Sequence, residues 1–374
     1  MAATTQSFKP IERDELVLHF LNVGFGDNIV VELPADLDGK RSYGLVDCRS
    51  GTKTKDYLGK LMAEANGGPS RLAFVCATHP HYDHVSGIPA IIRSRYYPHE
   101  FWDSGFRHNS QTYIRILEGV IEKNIRMVRV SSGMEWYFHQ IRMTALSPSI
   151  TLRNRFATYG VDMNNASVVL RIENNAENVI TMQSREYQGK ESAEAVRRAG
   201  RAVAILTGDA EFDSWSHVCQ EFPRVERSSS HKPLVTKMVN YLSCAMVKVA
   251  HHGSMHSTSL DVYEKMSPEL AVISTKQDQS GKTLHNNPLG RINRQLFPHQ
   301  SAVISLEEGD ARILTTDGSY EAQPPASGLK KQKDAKNAHE GTVVVVIPPG
   351  GGMRFKKLKD KAGGKATLPP YAPH

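Results

Sequence analysis

The sequence predicts an α/β (α+β) fold of two mixed sheets stacked face to face with helices outside, an αββα sandwich with polar insertions and a basic C-terminal tail. Three observations predict it. Short apolar runs rich in β-branched residues recur in both halves of the 374-residue chain. Segments with apolar residues at helical spacing lie between them. Several of the strand-like runs end at an aspartate or histidine cluster, so polar turns are expected to gather where the strand ends of the two sheets meet.

In chain order, residues 16–23 read as the first strand, closed by the glycine turn Gly24-Phe25-Gly26-Asp27. Residues 28–33 form a second strand and 43–46 a third, ending at Asp47. Residues 52–65 are helical, with Tyr57, Leu58, Leu61 and Met62 on one face and Gly67-Gly68-Pro69 as the stop. The continuous run 72–77 is a buried strand that leads into Thr78-His79-Pro80-His81-Tyr82-Asp83-His84-Val85-Ser86-Gly87. A short helix is expected at 88–93, a strand at 100–102, an amphipathic helix at 110–123, and strands at 127–130 and 136–146.

In the second half, strand 167–172 is expected to pair with 179–182, followed by a charged insertion at 184–201. Strand 203–206 ends in Thr207-Gly208-Asp209, and helix 211–222 precedes a polar loop at 224–232. Strand 246–249 ends at His251-His252-Gly253-Ser254. Helix 260–266, strand 270–274, helix 289–296 and strands 303–305 and 312–315 complete the body. No internal repeat of fixed period is present. Residues 323–374 read as a Pro/Gly/Lys-rich tail: a linker at 324–337, an apolar edge strand at 342–347, and a disordered end.

Composition narrows the function. No run approaches the roughly 18 apolar residues that span a bilayer, and residues 1–13 have no signal-peptide core. A soluble, cytoplasmic protein without membrane partners is expected. Cys48, Cys76, Cys219 and Cys244 are scattered without a C-x-x-C pair, which argues against a disulfide scaffold. Cys76 and Cys244, in or beside apolar runs, read as small core residues, whereas Cys48 follows Asp47 near the residues of interest. The net charge is +7, yet ten Lys/Arg and three Asp/Glu after residue 322 leave 36 of each sign in the first 322 residues. The basic excess belongs to the tail, so charge does not by itself make the body a nucleic-acid binder.

The chemistry concentrates in the ten residues from Thr78 to Gly87. Imidazoles and carboxylates are the donors that zinc and similar divalent ions accept. Three histidines and an aspartate within six positions, placed at a strand end, converge on a small volume. His79 and His81 are expected to flank one metal and Asp83 and His84 a second. Paired ions suit hydrolysis, because they activate water and stabilise the leaving oxygen. Asp209, after a glycine at a strand end, can bridge two metals. One of His251 and His252 can face the metals while the other turns outward. Asp47 is equally the kind of residue that caps a turn. Asp47, Asp27, Ser254 and His285 are candidates for metal or substrate contact.

With these pieces assembled, the chain resembles the metallo-β-lactamase superfamily through His79-Pro80-His81-Tyr82-Asp83-His84. Phe20-Leu21-Asn22-Val23-Gly24-Phe25-Gly26-Asp27, Leu206-Thr207-Gly208-Asp209-Ala210-Glu211 and Lys248-Val249-Ala250-His251-His252-Gly253-Ser254 narrow the resemblance. They look like the hydrolase domain of ComEC-type DNA-internalisation competence proteins. The resemblance covers roughly residues 16–316 and implies a hydrolase domain over 1–322, with two divalent metal ions, Zn2+ or Mn2+. It implies hydrolysis of a phosphodiester such as DNA or RNA; in such a reaction Asp83 or Asp209 is expected to orient the attacking water and accept its proton. Position by position, His79 and His81 match the first metal site, Asp83 and His84 the second, Asp209 the bridge and His251 or His252 the last imidazole. Where many members of the superfamily supply a further histidine, this chain has Asn164-Asn165-Ala166, so Asn164 or Asn165 is a weak oxygen ligand at best. Phe25 replaces the usual glutamine of the glycine turn that carries Asp27. A small-molecule hydrolase acting on a cyclic nucleotide or an ester, and a non-catalytic binding module stabilised by metal, are the alternatives.

Overall fold

Apolar side chains alternate along the strands, and that alternation builds the layers. The computed structural model describes residues 8–159, 162–174, 200–227, 236–257, 259–276, 297–319, 321–322, 339–365 and 367–372. Its first half supplies β1 (Leu16–Phe20), β2 (Asn28–Ala35), β3 (Arg41–Cys48), β4 (Phe74–Ala77), β5 (Glu100–Asp103) and β6 (Arg126–Arg129). Next come β7 (Glu135–Phe138), β8 (Ile141–Ser147), β9 (Val169–Asn174) and β10 (Val203–Leu206). A separate two-stranded ribbon, β11 (Pro223–Arg227) and β12 (Thr236–Asn240), interrupts the second sheet. That sheet resumes with β13 (Met246–Lys248), β14 (Leu270–Ile273), β15 (Arg312–Thr315) and β16 (Glu321–Ala322). Finally β17 (Val343–Ile347) and β18 (Arg354–Lys357) return to the first sheet, giving the orders β18-β17-β1-β2-β3-β4-β5-β6 and β16-β15-β14-β13-β10-β9-β8-β7.

The helices are α1 (Gly51–Asn66), α2 (Tyr82–Val85), α3 (Ile88–Ile92), α4 (Gln111–Glu122), α5 (Ile150–Tyr159), α6 (Phe212–Glu221), α7 (Leu260–Met266) and α8 (Gln300–Glu308). On β4, Phe74 and Cys76 face the second sheet while Val75 and Ala77 face α1, α3 and α4. On β10, Ala204 and Leu206 point between the sheets, and Val203 and Ile205 point to α6, α7 and α8. Period-two alternation therefore fills three apolar layers at once. Each fully buried side chain of this size contributes about 1.5–3 kcal/mol of transfer free energy. The sandwich expected from the sequence is the fold.

Several expectations are corrected. The segment 136–146 is not one strand: it turns at His139, whose φ is 53°, into the antiparallel pair β7–β8. Residues 303–305 are not a strand but part of α8, whose start His299 caps by accepting from the Ser301 N–H, with Ala302, Val303 and Leu306 buried. The polar loop at 224–232 overlaps a strand, β11, over its first four residues. The expectations for 179–182, 184–199, 289–296, 324–337 and His285 lie outside the described residues.

The last stretch of chain is not a loose end. All five residues of β17 are buried, and β17 pairs antiparallel with β1 on one side and β18 on the other. It lies one strand in from the sheet's edge. Beyond it, Asp360 accepts from the Thr342 backbone and forms an ion pair with Lys53 of α1. The Tyr371 hydroxyl donates to Glu32 at 2.7 Å, joining a buried group in which Glu32 also meets His19 at 2.9 Å and Arg41 at 3.2 Å. Among the described residues no helix is long and apolar enough to cross a membrane.

Candidate metal centre

The carboxyl ends of parallel strands carry the polar residues. β3 and β4 run parallel in one sheet, as do β10, β13 and β14 in the other. Their ends deliver Asp47, the His79–His84 loop, Asp209, His251-His252 and Ser274 to one crevice, where ligands bind in open α/β sheets. Two glycines allow the loops to close on each other. A Cβ on Gly26 (φ 125°) would lie 2.4 Å from the Asp83 carbonyl, and one on Gly208 (φ 52°) 2.9 Å from Thr78 Cβ. A side chain at Gly26 would push apart two loops of the first sheet, and one at Gly208 would push the second sheet's loop from the first's.

Asp209 stands at the middle. Its Oδ2 lies 3.1 Å from His84 Nε2, 3.8 Å from His79 Nε2, and 3.9 Å from both His251 Nε2 and His252 Nε2. Asp83 Oδ2 lies 3.5 Å from His252 Nε2 and 3.8 Å from His84 Nε2. Asp83, His84, Asp209 and His252 thus bring one donor atom each within 4.8 Å of one another. His81 flanks His79, with ring centroids 4.6 Å apart.

The far nitrogens of the rings fix their orientation. His84 Nδ1 donates to Asp47 Oδ2 at 2.8 Å, and His252 Nδ1 donates to the Ser274 carbonyl at 2.6 Å. His79 Nδ1 meets the hydroxyls of Thr78 and Ser167 at 3.2 and 3.3 Å. The opposite atoms, Nε2 of His79, His84 and His252, are buried without a hydrogen-bond partner. Leaving such atoms unpaired costs about 1–3 kcal/mol each, and a divalent ion is the partner that imidazoles held from behind accept. The donor set fits a divalent metal.

Strain and charge point to the same place. Asp47, His251 and His252 all adopt positive φ (57°, 46° and 52°), a conformation that costs non-glycine residues about 1–3 kcal/mol each. Burial lowers the pKa of His79 well below its ordinary value, with the neighbouring His84 adding to the effect. Burial also works against a charged His84, but Asp209, Asp47 and Asp83 outweigh it and raise His84 well above the ordinary value. For Asp209, burial is overcome by the surrounding histidines, His84 first, and its carboxyl is held well below the usual range.

The structure separates residues that the sequence left grouped. His252 is fully buried against Asp83, whereas the His251 side chain is 16% exposed and its Nδ1 donates to Glu211 at 2.9 Å. Asn164 Nδ2 donates to the same Glu211 oxygen at 3.1 Å, leaving its own Oδ1 buried and unpaired. Asn165 is turned away: its side-chain oxygen accepts from the Ser214 N–H in the first turn of α6. Asp47 supports His84 from behind. Asp27 meets Lys248, and Ser254 Oγ accepts from the His256 N–H within its own turn. Cys48 points at Thr54 of α1, and burial pushes its thiol up to about 12. Sequence reading missed Glu211, which resembles an ordinary helix start, and Lys248. The latter's neighbour Asp27 lies far away in the chain.

Fold and centre together define an αββα sandwich with a buried His/Asp cluster that could hold a metal ion. No protein-family model matches the chain. Among curated proteins it is similar to ComE operon protein 3 of Bacillus subtilis (strain 168), with 22% identity over 317 residues. Those residues are 82% of this chain and 33% of that protein, so the chain spans about a third of its relative's length. The likeness accords with the resemblance carried by the motifs. Similar solved structures include the metallo-β-lactamase fold protein YhfI from Bacillus subtilis (12% identity, TM-score 0.36, covering 69% of this chain and 85% of that one). A long form RNase Z from yeast is similar at 12% identity and TM-score 0.35, covering 76% of this chain and 40% of that one. A diphosphatase from the PhnP family follows at 14% identity and TM-score 0.30, covering 66% and 72%. Likenesses this distant assign no activity, and the functional reading rests on the centre itself.

Proposed function

We propose that this chain is a metal-dependent phosphodiesterase that acts on nucleic acid, with two divalent ions, zinc or manganese, held around Asp209. The observation that carries the reading is the set of three buried, unpartnered imidazole nitrogens facing one carboxylate. His79 and His81 would hold one ion, Asp83, His84 and His252 the other, and Asp209 would join the two. Divalent ions there supply an acidified water and positive charge for the oxygens of the reacting phosphate.

The chain's own residues do the rest. Asp83, partly open to solvent, is placed to take a proton at the rim of the centre. His251 has Nδ1 held by Glu211 and Nε2 turned toward Asp209, and it would move a proton beside Asp209. Phe25 lies on the His252 ring with centroids 4.4 Å apart and walls water from that flank. Nucleic acid as the substrate is supported by the motif resemblance to competence proteins. The exposed lysines 359, 361 and 365 also flank Asp360, which is anchored to Lys53 next to the glycine turn.

The test is hydrolysis, with added manganese, zinc or magnesium, of a chromogenic phosphodiester and of labelled single- and double-stranded DNA and RNA. Metal-dependent cleavage of both substrate classes supports the reading. Turnover of the small diester alone would assign a small-molecule hydrolase. Metal binding with no turnover of any substrate would assign a non-catalytic module.

A further inference from the structure

One buried amine stands among the carboxylates of the centre. Lys248, at the end of β13, has no exposed surface. Its Nζ pairs with Asp27 Oδ2, donates to the Gly208 carbonyl at 2.9 Å and lies 3.6 Å from Asp209 Oδ1. Thr207 fixes the backbone behind it by donating to the Lys248 carbonyl at 2.7 Å. Burying an ammonium costs several kcal/mol unless it is paired and hydrogen-bonded. If joining β13 to its neighbours were the whole purpose, an apolar side chain would serve as well.

The placement of the charge is informative. Asp27 comes from the first sheet's glycine turn, Gly208 and Asp209 from the second sheet, and the ammonium meets all three. The two oxygens of Asp209 are thereby made unlike. Oδ1 faces the ammonium, while Oδ2 faces the Nε2 atoms of His84, His79, His251 and His252. Asp209 Oδ1 has no hydrogen bond, so the attraction of Lys248 orients it.

We propose that Lys248 is a positioning residue. Anchored by Asp27, its ammonium holds the Asp209 carboxylate so that Oδ2 is presented to the imidazoles, and it offsets one of the four carboxylate charges (Asp27, Asp47, Asp83 and Asp209) gathered there. This inference rests on the reading of the centre as a metal site.

The test uses the full chain and cobalt(II) as the probe metal. The Asp27→Asn/Lys248→Met double variant removes both charges without stranding either. It is expected to unfold cooperatively in chelator, as the parent does, while its cobalt affinity falls about 10–100-fold and the d–d absorption of the bound ion shifts. Asp27→Asn alone keeps an acceptor oxygen but loses the anchoring charge, and it should lower affinity in the same direction by less. Parental affinity and an unchanged cobalt spectrum in both variants would overturn the inference, leaving the pair as a link between sheets. A parent chain that binds no cobalt would instead overturn the reading of the centre as a metal site.

Discussion

His84 donates from Nδ1 to Asp47 Oδ2 across 2.8 Å, and both side chains are sealed from solvent. Asp47 is itself held by the Thr78 N–H at 2.8 Å and the Thr78 hydroxyl at 2.7 Å. The carboxylate therefore sets the ring's tautomer and leaves Nε2 for a metal. Asp47→Asn should keep the fold and lower metal affinity about 10–100-fold. Competition with a chromophoric chelator measures this, and parental affinity in the variant would show that Asp47 is only a turn residue.

The C-terminal segment makes a second prediction. Because β17 lies between β1 and β18 with every residue buried, a chain ending at residue 338 exposes the apolar side chains that β17 covers. That truncation should lose cooperative thermal unfolding. If it melts as the full chain does, the segment is a dispensable tail.

A third prediction concerns the ion pair beneath the glycine turn. The Lys53 and Asp360 side chains are 4% and 1% exposed, and Lys53 Nζ also donates to the carbonyls of Asn22 and Lys361 at 2.7 and 2.8 Å. Asp360→Ala leaves the ammonium buried without its counter-charge and should cost about 3–5 kcal/mol. Denaturant titration reads this directly, and a loss below about 1 kcal/mol, as for an exposed pair, would contradict the packing described.

The fourth prediction is a pH dependence of stability. Burial raises the pKa of Glu32, but Arg41, His19 and Tyr371 outweigh it and hold the carboxyl below its ordinary 4.5. With the folded value below the unfolded one, the ionised form stabilises the fold above pH 4.5, and this contribution is lost as pH falls through the lowered value. Glu32→Gln should therefore flatten the fall of Tm as pH drops below 4.5. An unaltered slope would assign the acid sensitivity to other carboxylates.

Elements with a short apolar run and clear punctuation were legible in the sequence. Residues 203–206, 260–266 and 312–315 fold over the bounds their patterns give. α8 misled because Val303 and Ile304 are β-branched, and its nine residues hold too few turns for helical spacing to stand out. The β7–β8 turn carries no glycine or asparagine to announce it: His139 takes the positive φ instead. β18 was hidden by composition, because Arg354-Phe355-Lys356-Lys357 gains its place from backbone pairing with β17 and from the Arg354–Glu15 ion pair. The local histidine cluster could be read directly. The difference between His251 and His252 could not, because Glu211 and Ser274, which orient them, come from other elements.

The most direct test of the central claim is elemental analysis of the chain after incubation with zinc or manganese and removal of free ion. The account predicts divalent metal retained by the parent and lost from the Asp209→Ala variant, with both chains folded. A folded parent that retains no metal, or a variant that retains as much as the parent, would contradict it.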